Sequence, residues 1–143
     1  MTTLLDLYEY AESQGIDVDW VPMVQATSLS IPLPDGSCSI AVNPWKLDTL
    51  EQETVCLAHE LGHCETGSFY NRYAKLDLRQ KHENRADKWA IQQLVPEEAL
   101  DQAVANGYTD LTSLAEHFGV TEPFMRKAVC WYTHGNLAAD IYM

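Results

Sequence analysis

The chain has 143 residues, the size of one domain built around one hydrophobic core. Hydrophobic residues make up 46% and charged residues 21%, globular proportions that exclude a disordered or fibrous chain. Nine Lys and Arg against 21 Asp and Glu give a net charge of −12, which argues against phosphate-driven contact with DNA, RNA or an anionic membrane and favours a basic partner or a held cation. The charge is uneven: residues 1–71 carry eleven acids and one base, residues 72–88 six bases and three acids, and residues 89–143 seven acids and two bases.

The N-terminal Met1-Thr2-Thr3-Leu4-Leu5-Asp6 lacks the basic and then apolar pattern of a secretory signal, and no apolar run approaches the roughly 20 residues of a bilayer span, so a cytoplasmic location without membrane contact is expected. Leu4, Leu7, Tyr8 and Ala11 recur with helical spacing and predict a first helix ending near Gln14-Gly15. Ile16, Val18 and Trp20 then alternate with acids, as in a half-buried strand. Leu29, Ile31 and Leu33 alternate likewise, Pro34-Asp35-Gly36-Ser37 supplies a turn, and Cys38, Ile40 and Val42 resume, which predicts a hairpin. Thr49 with Gln52 three positions later resembles a capping box opening a helix to about Cys64. A second long helix is expected from about His82 to Val95, stopped by Pro96. Three short helices follow, from Pro96 to Asn106, about Leu111 to Phe118, and about Glu122 to Trp131. The fold expected is α+β: an N-terminal helix, a three-stranded, mainly antiparallel sheet, two long helices and a C-terminal helical cap. It forms one domain over 1–143, with a core at about 1–96 and a helical part at about 97–143.

The chemistry is concentrated in His59-Glu60-Leu61-Gly62-His63. A separation of four residues places both imidazoles on one helix face, where their nitrogens can converge on one ion at about 2.0 to 2.1 Å. Glu60 is badly placed as a third ligand on that face but well placed as general base toward a water. Leu57, Ala58 and Leu61 point to the core, and Gly62, which costs about 1 kcal/mol of helix propensity relative to Ala, implies a close approach by another backbone. A catalytic zinc needs a third protein ligand. Glu83 lies twenty residues beyond His63, and the small Ala86 and Ala90 that follow it allow its helix to pack close. Asp87, one turn after Glu83, is placed to accept the spare ring N–H of a ligand histidine. One Zn2+ per chain is therefore expected on His59, His63 and Glu83.

These residues resemble the gluzincin metallopeptidases. More closely, Val55-Cys56-Leu57-Ala58-His59-Glu60-Leu61-Gly62-His63, Glu83-Asn84-Arg85-Ala86-Asp87-Lys88-Trp89-Ala90 and Leu94-Val95-Pro96 resemble the ImmA/IrrE family of small bacterial and phage metallopeptidases. The family's usual second-helix wording is Glu-x-Glu-Ala-Asn-x-Phe-Ala, so Arg85, Asp87 and Trp89 depart from it while Glu83 is kept. The resemblance implies a minimal zincin-like fold and a cytoplasmic zinc endopeptidase that cleaves a helix-turn-helix repressor, often encoded on a phage, prophage or mobile element. A non-catalytic, metal-containing antirepressor is the alternative.

Tyr70, Tyr73, His82, Arg85 and His134 are the candidate oxyanion donors or substrate contacts. Cys56 shares the metal side of the helix and is either a fourth ligand or a buried thiol. Cys64 points about 100° away and reads as packing. With no CxxC pair, all four cysteines are expected as reduced thiols. The helical pair after Asp110 looks like a helix-turn-helix, but Arg126 and Lys127 are its only bases, too few for phosphate binding. The basic run Arg72, Lys75, Arg79, Lys81, Arg85 and Lys88 is expected as a solvated connection or a contact for an acidic stretch of substrate. An extended substrate is expected to pair with the edge of the Leu29–Val42 hairpin.

Overall fold

The structure, a computed structural model, describes residues 1–71, 73–135 and 137. Helix α1 (Leu4–Ser13) opens with a full capping box, in which Thr3 accepts from the Asp6 N–H and Asp6 accepts from the Thr3 N–H. Its apolar face buries Leu7 and Ala11. Strands β1 (Asp17–Trp20), β2 (Ser28–Pro32) and β3 (Cys38–Val42) form one sheet in the order β1-β3-β2. The β2–β3 hairpin is antiparallel as expected, with Leu29 opposite Ala41 and Ile31 opposite Ser39. Strand β1 adds parallel to the far side of β3, with Val18 opposite Ile40, so the sheet is mixed and β2 is left at an edge. Asn43, fully buried, donates to the carbonyls of Met23 and Ala26 and accepts from the Trp45 N–H, which fixes the connection that delivers β2.

Helix α2 (Leu50–Thr66) packs on strands β2 and β3 of the sheet. Thr49 caps it by accepting from the Gln52 N–H, while the Gln52 amide oxygen accepts from the N–H of Asp48, one residue before the cap. Leu57, Ala58 and Leu61 are completely buried against the sheet and the following helix, and each leucine contributes about 1.5 to 3 kcal/mol of hydrophobic stabilisation. From α1, the Tyr8 hydroxyl donates to Glu53 of α2 at 2.6 Å.

Helix α3 (Leu76–Leu94) begins six residues earlier than the sequence suggests. Its first two turns, Leu76-Asp77-Leu78-Arg79-Gln80-Lys81, have no apolar periodicity, and Leu76 and Leu78 are exposed, so the hydrophobic pattern carries no signal there. The basic residues Arg79, Lys81, Arg85 and Lys88 therefore lie on a helix and not on a connection, with Lys75 at its N-cap; Arg72 lies outside the described residues. Helices α4 (Glu97–Ala105), α5 (Leu111–Phe118) and α6 (Glu122–His134) complete the fold. The pair α5–α6 packs through Leu114, Ala115, Phe118, Phe124 and Met125, and the Tyr132 hydroxyl donates to the carbonyl of Val95 at 2.8 Å.

The expectation of four free thiols is not met. Cys38, at the start of β3, is joined to Cys64, in the last turn of α2, with Cα atoms 5.9 Å apart. Twenty-six residues separate them, and packing of α2 on the sheet brings them together, a tertiary proximity that cysteine spacing does not encode. Cys56 and Cys130 are free. No helix among the described residues is long and apolar enough to cross a membrane.

Candidate metal centre

Two helices and a turn build the centre. His59 and His63 project from one face of α2 with ring centroids 4.7 Å apart, and their Nε2 atoms lie 3.1 Å from each other. Glu83, the eighth residue of α3, reaches both: one carboxylate oxygen is 2.8 Å from His59 Nε2 and the other 3.1 Å from His63 Nε2. The approach depends on Gly62, where a Cβ would fall 2.5 Å from the carbonyl oxygen of Ala86 and 2.9 Å from its Cα. Any side chain at residue 62 would force α3, and Glu83 with it, away from the histidines.

Each imidazole is fixed by the bond its other nitrogen makes. Gly67 ends α2 at φ 65°, a left-handed conformation that glycine adopts without strain, and the reversed chain presents the buried Ser68 carbonyl to His63 Nδ1. A carbonyl only accepts, so His63 carries its hydrogen on Nδ1. His59 Nδ1 lies 2.7 Å from Asp87 Oδ1, and its hydrogen goes to that carboxylate. Both Nε2 atoms therefore turn lone pairs toward each other and toward the Glu83 carboxylate. Three acceptors converge with no donor among them, an arrangement that requires positive charge at its centre.

The residues fit a metal ion. Tetrahedral coordination with bonds of about 2.0 to 2.1 Å places ligand atoms about 3.3 Å apart. The pairs here span 2.8 to 3.1 Å, and His59, His63 and Glu83 form the group with metal-ligating spacing among the described residues. The same demand for positive charge sets the ionisation. Without a metal ion a proton on His59 Nε2 meets that demand: burial opposes the charge, but the hydrogen bonds to Asp87 and Glu83 outweigh it and push the His59 pKa up to about 10. Burial likewise opposes the Glu83 anion, yet His59 and His63 hold Glu83 far below the usual carboxylate range. Asp87 is also lowered against the effect of burial, by His59 first and then by Lys127 of α6, whose Nζ is 3.0 Å from Asp87 Oδ2.

Glu60 is 7% exposed, and its carboxylate accepts from the Ser28 hydroxyl at 2.6 Å. It lines a cleft of about 360 Å³ with His59, His63, Glu83, Phe69, Tyr70 and the edge-strand residues Ser28, Leu29 and Ser30. The Phe69 ring stacks on His63 with centroids 6.0 Å apart. A second cleft opens on the other side of His59 and Glu83, walled by Val55 and Cys56 of α2 and by Thr121, Pro123, Phe124 and Lys127 at the start of α6.

Of the five candidate donors, the structure brings Tyr70 to the cleft, which it lines with Glu83; burial and that nearby carboxylate raise its pKa, so the phenol stays protonated. His82 packs on the Tyr70 ring at 6.1 Å, with a buried Nδ1 that has no hydrogen-bond partner among the described residues, and it does not line the cleft. Tyr73 is 78% exposed, and Arg85 and His134 are exposed; none of the three lines either cleft. Cys56 lines the second cleft but stands outside the ligating group, and burial raises its pKa and keeps the thiol neutral.

Sequence reasoning missed Ser28, the Ser68 carbonyl and Lys127. A serine in a short strand and a backbone oxygen carry no sequence signal. Lys127 did carry one, as one of two bases in a terminal stretch with seven acids. No match is found among curated proteins. A family model described as the IrrE N-terminal-like domain matches residues 11–129, a span that contains the whole cluster with Glu60, Asp87 and Lys127. The chain therefore belongs to the Peptidase_M78 family, the metallopeptidases of the IrrE N-terminal-like type.

Proposed function

We propose that the chain is a zinc-dependent endopeptidase, with zinc held by His59, His63 and Glu83, one ion per chain, and Glu60 as general base. The observation that carries this reading is the convergence of two histidine lone pairs and one carboxylate, with both Nδ1 hydrogens already committed to Ser68 and Asp87. Zinc, when bound, supplies Lewis acidity, lowering the pKa of water toward 7 and polarising a carbonyl. Glu60, oriented by Ser28, takes the proton of the attacking water and passes it to the leaving amine. The Tyr70 hydroxyl donates to the oxygen on which charge develops. Strand β2, at the sheet edge with Ser28, Leu29 and Ser30 in the cleft, pairs with an extended substrate, whose side chains alternate between the cleft and solvent. Asp87 fixes the tautomer of His59.

The substrate we assign is a helix-turn-helix repressor of a phage, prophage or mobile element, cleaved in the cytoplasm where it binds DNA. Support comes from the family and from charge: a chain at −12 suits a basic, DNA-binding partner and not the nucleic acid itself. The chain works as one domain over 1–143, because α6 walls the second cleft and so joins the helical part from about 97 to the core at about 1–96.

Elemental analysis of the purified protein should find about one zinc per chain. Glu60→Gln should keep that zinc and lose cleavage by about 100-fold or more. Normal cleavage by this variant would refute the mechanism. Full biological activity of Glu60→Gln without cleavage would instead identify a non-catalytic antirepressor that sequesters its partner.

A further inference from the structure

Asp87 is 10% exposed at its side chain and uses both oxygens, Oδ1 toward His59 Nδ1 at 2.7 Å and Oδ2 toward Lys127 Nζ at 3.0 Å. The lysine comes from α6, forty residues further along the chain, and is the partner from the C-terminal helical pair in this network. We propose that Lys127 is a positioning residue for the metal centre: it holds the Asp87 carboxylate in the plane that orients His59, and its charge completes the neutralisation of the site. The inference rests on the zinc reading above and adds to it a residue outside the two metal helices.

Two physical arguments carry it. The first is orientation. A carboxylate bonded at one oxygen can rotate about its Cβ–Cγ bond; bonded at both, toward α2 on one side and α6 on the other, it cannot turn without losing a charge-assisted hydrogen bond. Fixing Asp87 fixes the His59 ring, whose Nε2 lies 2.8 Å from Glu83. The second is charge. Glu60, Glu83 and Asp87 contribute three negative charges around one divalent cation, which leaves one negative charge in excess, and Lys127 cancels it. The lysine is 39% exposed, so its own desolvation is incomplete while its partner is mostly buried, the arrangement in which a bridge organises a site at small cost. Lys127 also walls the second cleft, so the helical pair reports directly to the centre.

The test is zinc affinity of the full chain by chelator competition, with folding checked by circular dichroism. Lys127→Met should weaken zinc about tenfold, the lower end of the loss seen when outer partners of metal ligands are removed. Lys127→Arg, which keeps charge and donor, should recover most of it. In an Asp87→Asn background the lysine has no carboxylate to hold, so adding Lys127→Met should cost nothing further. Wild-type affinity in Lys127→Met, or an equal loss in both backgrounds, would overturn the proposal and leave the metal centre standing. Failure of the unmutated chain to bind zinc would overturn both.

Discussion

The most exacting test of the two-helix geometry is Gly62→Ala. A Cβ at this position would stand 2.5 Å from the Ala86 carbonyl oxygen, 2.9 Å from Ala86 Cα and 3.0 Å from its carbonyl carbon, against ordinary contact from 3.4 Å. The obstacle is backbone, which cannot swing aside as a side chain does, so the helices must open by about 0.9 Å to restore contact with the oxygen. Alanine regains about 1 kcal/mol of helix propensity, and overpacking costs about 1 to 3 kcal/mol, so the net loss of stability is about 2 kcal/mol at most, or about 4 to 8 °C in Tm. The effect on the centre is out of proportion. Glu83 precedes Ala86 by one turn and moves with it, whereas metal–ligand bonds tolerate about 0.2 Å. Zinc affinity should fall about 10- to 100-fold while the far-ultraviolet circular dichroism of the variant stays native. Chelator competition and thermal melting, run on the same preparation, separate the two effects. A Gly62→Ala protein that binds zinc as tightly as the parent would refute the claim that this contact sets the distance from Glu83 to the histidines.

Tyr70→Phe removes the hydroxyl in the cleft and leaves the ring, so kcat should drop about 100-fold with KM and zinc content nearly unchanged; equal kcat would remove Tyr70 from the chemistry. Reducing the Cys38–Cys64 bond, or replacing Cys38 by Ser, frees a loop of 26 residues and should cost about 3 to 4 kcal/mol, near 10 °C in Tm, without loss of zinc, since neither sulfur belongs to the ligating group. A melting temperature indifferent to reductant would show that the cross-link contributes nothing to the fold. Because thiols are kept reduced in the cytoplasm, the same measurement says how much stability the protein would have there.

How far the sequence was legible depended on the range of the interaction that each feature needs. Four-residue spacing is a property of one helix, so His59 and His63 could be paired from the sequence. The Gly62 exception in an otherwise good helix pointed correctly to backbone contact, because propensity has a known cost and something must offset it. Glu83 lay further out: its place depends on two helices packing, and Ala86 and Ala90 were the clue. The start of α3 was lost because Leu76 to Lys81 present no buried face. The parallel pairing of β1 was lost because alternation sets the facing of a strand and not its direction. The disulfide and Ser28 were lost because each is made by residues that only the assembled sheet and α2 bring together.

The acidity of the chain changes meaning once the groups are placed. Glu83 and Asp87 are held ionised against burial by His59 and His63 in the first case and by His59 and Lys127, from a distant helix, in the second. The Nδ1 hydrogens of His59 and His63 are spent on Asp87 and Ser68, which leaves Nε2 of both rings turned toward Glu83. That choice of tautomer, made separately by a glycine-ended helix for His63 and by α3 and α6 for His59, is what the proposed zinc site rests on.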